Sequence, residues 1–145
     1  MKLSSRALNI CCATLLTLSA IPQATAEDSF QARKRLLQAA RAFTGQGYRL
    51  RGEPYVSHME AQASERIRIQ LAKGVTYVLV SVCDQYCSGI DLTLSKDGGE
   101  DVQIERKDRA IVMATPREAV TLGLEVTMAE CSEAPCYYGI GIFTK

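Results

Sequence analysis

One stretch constrains this chain more than any other. Residues 75–82, Val-Thr-Tyr-Val-Leu-Val-Ser-Val, form an almost unbroken β-branched and aromatic run, entered through Gly74 and closed by Cys83. Eight residues are too few for an ordinary buried helix. The composition suits a strand covered on both faces, or one in the middle of a sandwich. After a short turn to Cys87, Ile90, Leu92 and Leu94 alternate with Asp91, Thr93 and Ser95. That strand has one dry face and one wet face.

Period-two patterning continues on either side. Tyr48 and Leu50 alternate with Arg49 and Arg51 until Pro54 breaks the pattern. Residues 55–61 read as an edge strand. Ile67, Ile69 and Leu71 alternate with Arg66, Arg68 and Gln70. Lys96-Asp-Gly-Gly99 is a turn, and Val102 and Ile104 open the next strand. Residues 110–115 are apolar up to Pro116. Val120, Leu122, Leu124, Val126 and Met128 give the longest strict alternation, and residues 137–143 close the chain with Gly139 and Gly141 on one face. Glycines so placed mark a bulge or a close backbone approach. About eight short strands with regular turn signals predict an all-β β-sandwich or jelly roll over residues 48–145.

The chain opens differently. Lys2 and Arg6 precede an uncharged, mostly apolar stretch from 7 to 21, and Ala24-Thr-Ala26 supplies small residues before a cleavage point. Residues 1–26 therefore read as a secretory signal peptide. The apolar stretch is shorter than the roughly 20 residues a membrane span needs; an uncleaved anchor is the alternative. Residues 27–47 predict one amphipathic helix, capped by Ser29 and running from Phe30 to Thr44, where Gly45 and Gly47 end it. Leu36, Leu37, Ala40 and Phe43 are assigned to its apolar face, and Gln31, Lys34, Arg35, Gln38 and Arg41 to the other. The expectation is a helix packed on the edge or end of the sandwich, with a solvated basic face. Membrane-surface contact through residues 30–44 is the functional alternative.

Without Lys2 and Arg6, 15 basic side chains face 16 acidic ones, a net charge of −1. That balance argues against a nucleic-acid partner. The charge is unevenly spread: residues 27–51 carry six basic and two acidic groups, residues 52–145 nine and fourteen. Export also frames the cysteines. Cys11 and Cys12 fall within the signal peptide, leaving Cys83, Cys87, Cys131 and Cys136. An even number in an exported chain predicts disulfides. Of three connectivities the two local ones are favoured, because each pair flanks a short polar turn. A four-cysteine zinc site is the rival reading.

No catalytic constellation is read from the sequence. His58 is the only histidine, and Ser57 beside it cannot build a triad by adjacency. No metalloprotease, phosphate-loop or nucleophile-elbow motif is present. Two binding readings remain. Asp84, Asp91 and Asp97, with Glu100 and Asp101, lie near strand ends and offer hard oxygen ligands for calcium; ordinary solvated turn acids are the alternative. Tyr86, Tyr137 and Tyr138 neighbour the cysteine turns and would form an aromatic patch for a protein or glycan if those turns meet. They would otherwise only seal the sandwich end.

Gly74-Val-Thr-Tyr77 leading into an apolar strand, Ile90-Asp-Leu-Thr-Leu94 followed by Gly98-Gly99, and the proline-started strand from Pro116 to Val126 give the chain a likeness to a known family. Over about residues 65–143 it resembles the bacterial pre-peptidase C-terminal domain, a family of secreted β-sandwich modules. The resemblance implies an accessory module used for adhesion, targeting or stability, here free-standing, and members that bind calcium. The resulting expectation is a periplasmic or secreted, non-enzymatic binding module for a protein or glycan of the envelope, with calcium as the one cofactor considered. An envelope hydrolase or inhibitor, or a purely structural envelope protein, is the alternative.

Overall fold

The computed structural model describes residues 25–96, 101–107 and 109–145. The expected signal peptide, Asp97, Glu100 and the 97–99 part of the Lys96 turn lie outside the described residues, apart from Thr25 and Ala26. The chain forms helix α1 (Thr25–Thr44) and then β1 (Arg49–Leu50), β2 (Tyr55–Met59), β3 (Ser64–Leu71), β4 (Tyr77–Cys83), β5 (Cys87–Lys96), β6 (Asp101–Lys107), β7 (Arg109–Ala114), β8 (Val120–Cys131) and β9 (Cys136–Thr144). Two antiparallel sheets result, as the period-two pattern requires. A central sheet runs β1-β9-β4-β7, with β2 also on β9; an outer sheet runs β3-β8-β5-β6. α1 packs on the outer face of the central sheet against β9 and β4, not at the edge or end of the sandwich as expected, because the apolar side chains of β4 on that face need cover; this makes three layers.

This layering explains the apolar run. Every residue of β4 is buried. Tyr77, Leu79 and Cys83 face the inter-sheet core with Ile90, Leu92 and Leu94 of β5 and Leu122, Leu124, Val126 and Met128 of β8. Val78, Val80 and Val82 point the other way and form a second core with Leu36, Ala39, Ala40 and Phe143. The expectation of a strand buried on both faces holds because a helix covers what would otherwise be the wet side.

β9 is shaped for that helix. Gly139 and Gly141 share the helix-facing side with Phe143. A Cβ on Gly139 would lie 3.5 Å from the Ala32 carbonyl and 3.6 Å from Leu36 Cδ2. One on Gly141 would lie 2.9 Å from the Phe143 ring and 3.3 Å from Leu36 Cδ1. The two glycines thus form a notch that takes Leu36, a close backbone approach and not a bulge. Burying Leu36 there contributes on the order of 2 kcal/mol.

α1 differs from its sequence reading in two respects. It starts at Thr25, so Ser29 sits inside it and is not the cap. Glu27 and Asp28 lie in its first turn, where carboxylates favour the helix dipole and allow the extension. Leu37 is 49% exposed, whereas Leu36 is fully buried. Neighbouring helical residues diverge by about 100°, and the notch accepts only one of the two. The C-terminus follows expectation: Tyr48 N–H reaches the Phe43 carbonyl (3.1 Å) and Gly47 N–H the Thr44 carbonyl (3.0 Å). Gly47 has φ +86°, the left-handed conformation this helix stop needs.

Candidate functional site

Both disulfides form with the local pairing, Cys83–Cys87 (S–S 2.05 Å) and Cys131–Cys136 (S–S 2.12 Å). Each closes a turn where the chain crosses between the sheets, β4 to β5 and β8 to β9. Cys87 and Cys131 are also register partners on β5 and β8, so the two turns meet at one end of the sandwich. Disulfides of this kind are compatible with an oxidising extracellular compartment.

Asp84 is the hub of that end. Its side chain is fully buried. Its carboxylate accepts the N–H of Tyr86 (2.9 Å) and the N–H of Tyr137 (2.6 Å). Its own N–H donates to the Tyr137 carbonyl at 2.9 Å. Arg35 of α1 donates to the carbonyls of Cys83 (3.0 Å) and Asp84 (2.8 Å). Ser132 donates both N–H and Oγ to the Tyr86 carbonyl, at 2.8 and 2.9 Å. The buried carboxylate, receiving two backbone donors, ties the cysteine turns together, and the main-chain carbonyls of Cys83 and Asp84 tie the first of them to Arg35 of the helix.

Of the acids read as calcium ligands, Asp84 and Asp91 have separate surroundings. Asp84 is committed to backbone N–H groups, and Asp91 stands on the polar face of β5, in register with Thr127 and Arg106. Among the described residues, no three His, Cys, Asp or Glu side chains stand together as a metal site.

The tyrosines are also not one surface. Consecutive residues of a strand point to opposite faces, so Tyr137 and Tyr138 diverge. Tyr138 is fully buried in the inter-sheet core. Tyr137 lies on the other side of β9 with its ring centroid 5.2 Å from that of the exposed His58. Tyr86 is half-buried beside the second turn. The two turns do meet, and the Tyr137 and Tyr138 rings are buried at that end.

One part-buried polar cluster was missed in the sequence. Glu65 of β3 accepts hydrogen bonds from the hydroxyls of both Tyr138 and Tyr55. It joins the outer sheet to β9 and β2 of the central sheet. Burial, together with the bond to Glu65, pushes the Tyr138 hydroxyl well above the ordinary tyrosine range. The bond to Glu65 also raises Tyr55. Parity was the available signal: Ile67, Ile69 and Leu71 face inward, so Glu65 must as well.

The outward side of α1 is less committed to internal contacts. Phe30, Lys34, Leu37 and Arg41 are all exposed and fall within about 60° of one another around the helix. Phe30 is 64% exposed. Arg33, on the flank, pairs with Glu53 at 2.9 Å. On the opposite flank a cleft of ≈ 340 Å³ opens between α1 and the central sheet, lined by Arg35, Gln38, Ala39, Val82, Cys83 and Arg109. Arg109 is the register partner of Val82 on β7. Arg35 is fixed by the two carbonyls it bonds.

Neither a protein-family model nor a curated protein sequence matches this chain.

Proposed function

We propose that this chain is an exported, non-enzymatic β-sandwich binding module whose recognition face is the outward side of α1. The likeness to secreted accessory modules supports a binding role, and the paired cysteines support export. The observation that carries the assignment of the face is the exposure of Phe30 and Leu37. Among the described residues only four large apolar side chains are exposed, and two of them share this one stripe. A rigid layer holds them there: Leu36 in its notch and Arg35 on the disulfide turns fix the helix in rotation and position. Aromatic and aliphatic side chains presented on a pre-ordered backbone suit recognition. Asp84 and Glu65, by contrast, are spent on internal hydrogen bonds.

The test is photo-cross-linking in intact cells, with a photoreactive residue placed at position 37 or, as a control, at position 68 on the outer face of β3. Adducts from position 37 but not from 68 are the expected outcome. Equal labelling, or adducts from position 68 alone, refutes the assignment.

A further inference from the structure

The partner of this face can be named by its chemistry. Resting on the binding-module reading, we propose that the outward face of α1 and the adjoining arginine cleft dock on a membrane surface containing anionic phospholipid.

Two independent observations converge on one flank of the molecule. The first is the stripe. Phe30 and Leu37 are two helical turns, about 10 Å, apart, and Lys34 and Arg41 alternate with them. Apolar side chains interleaved with cations on an exposed helix face match an interfacial helix, which buries the former at the acyl boundary and leaves the latter among headgroup phosphates. The other side of α1 is already buried against the central sheet, so this contact needs no unfolding of the helix.

The second observation is the cleft. Arg35 and Arg109 line it together with Gln38, and no carboxylate is among its described lining residues. Two guanidinium groups sharing one cleft repel each other unless an anion lies between them. Arg35 is preorganised by its bonds to the Cys83 and Asp84 carbonyls. A phosphate diester fits the forked donors of arginine. Gln38 lines the cleft and directly follows Leu37 of the stripe, so a headgroup in the cleft and an acyl surface under Phe30 and Leu37 are compatible in one pose. The charge distribution supports the orientation: residues 27–51 carry the positive excess and residues 52–145 the negative. An anionic surface therefore attracts the α1 side and repels the rest.

The experiment is co-sedimentation of the protein with vesicles of phosphatidylcholine alone or of phosphatidylcholine with phosphatidylglycerol. Binding is expected only to the second kind, falling as salt rises. Lys34→Gln with Arg41→Gln is expected to weaken it by about 30-fold, given the usual contribution of a cation near an anionic surface. Phe30→Ser with Leu37→Ser is expected to weaken binding with Tm unchanged, because both side chains are already exposed. Arg109→Gln is expected to reduce the preference for phosphatidylglycerol. Absence of binding at low salt overturns the proposal, as does equal binding to both vesicles or binding indifferent to Phe30 and Leu37. Vesicle binding that keeps its preference for phosphatidylglycerol in Arg109→Gln, while inorganic phosphate binds the parent protein and not that variant, reassigns the cleft to a soluble anion and also overturns it. If vesicles fail while position 37 still cross-links to protein, the binding face stands and its lipid partner does not.

Discussion

Removing the Glu65 carboxylate tests the cross-sheet clamp quantitatively. Glu65→Ala takes the charged acceptor from the Tyr138 hydroxyl and leaves it the Ser57 hydroxyl as a partner. Tyr138 is fully buried, and exchanging a charged acceptor for a neutral one costs about 1–2 kcal/mol. The Tyr55 hydroxyl also loses Glu65, but Tyr55 is 40% exposed, and water replaces the bond at a cost well under about 1 kcal/mol. Lost side-chain packing adds a little, so the total is about 2 kcal/mol. Tyr138→Phe removes the donor and keeps the ring, for about 1–1.5 kcal/mol. Once Glu65 is absent, deleting the Tyr138 hydroxyl no longer breaks the charge-assisted bond. The double variant should therefore fall short of the sum by about 1–2 kcal/mol. The chain has no tryptophan, so urea unfolding is followed by circular dichroism. Single variants that add within about 0.5 kcal/mol would show that Glu65 and Tyr138 do not interact, and the clamp would be wrong.

The other expectations concern the remaining supports. Leu36→Ala should cost about 2–4 kcal/mol in urea unfolding, because the notch it fills cannot collapse around a smaller side chain. Gly123→Ala should cost about 1–3 kcal/mol: a Cβ there would overlap the Arg66 guanidinium, which must swing away and give up its bond to the buried Ser95 Oγ (3.0 Å). Replacing both members of the Cys83–Cys87 pair by alanine should cost about 2 kcal/mol for a five-residue loop, measured against the intact protein. Stability should fall as pH rises above about 10, where the unfolded chain ionises a tyrosine that the folded state keeps protonated at position 138. The slope from that residue is about 1.4 kcal/mol per pH unit, and Tyr138→Phe should remove it in an alkaline denaturation series.

The strands were legible because burial imposes a period of two wherever one face is dry. Residues 75–82 read either as a strand covered on both faces or as one in the middle of a sandwich, and only the first of these needs the third layer that α1 supplies. The helix phase was not legible to the residue. Leu36 and Leu37 are equally apolar, and only Gly139 and Gly141, a hundred residues away, decide which one turns inward. Tyr138 and Glu65 were readable from strand parity, but a carboxylate at an inward position runs against the usual exposure of glutamate, and its justification lies in two hydroxyls on other strands. Asp84 read as a calcium ligand or a solvated turn acid because one of the two donors that bury its carboxylate, the Tyr137 N–H, lies past the second turn, which meets the first only in three dimensions. Arg35 and Arg109 share a cleft for the same reason: nothing in the sequence places β7 beside α1.

The most direct test of the account is methyl NMR of the folded protein with a soluble paramagnetic agent. The expected result is nuclear Overhauser contacts from the Leu36 methyls to the α-protons of Gly139 and Gly141, with Leu36 shielded from the agent and Leu37 broadened by it. Equal broadening of both leucines, with no contact to either glycine, would mean that α1 is not locked to the sheet, and that the face assigned to recognition is not a fixed surface.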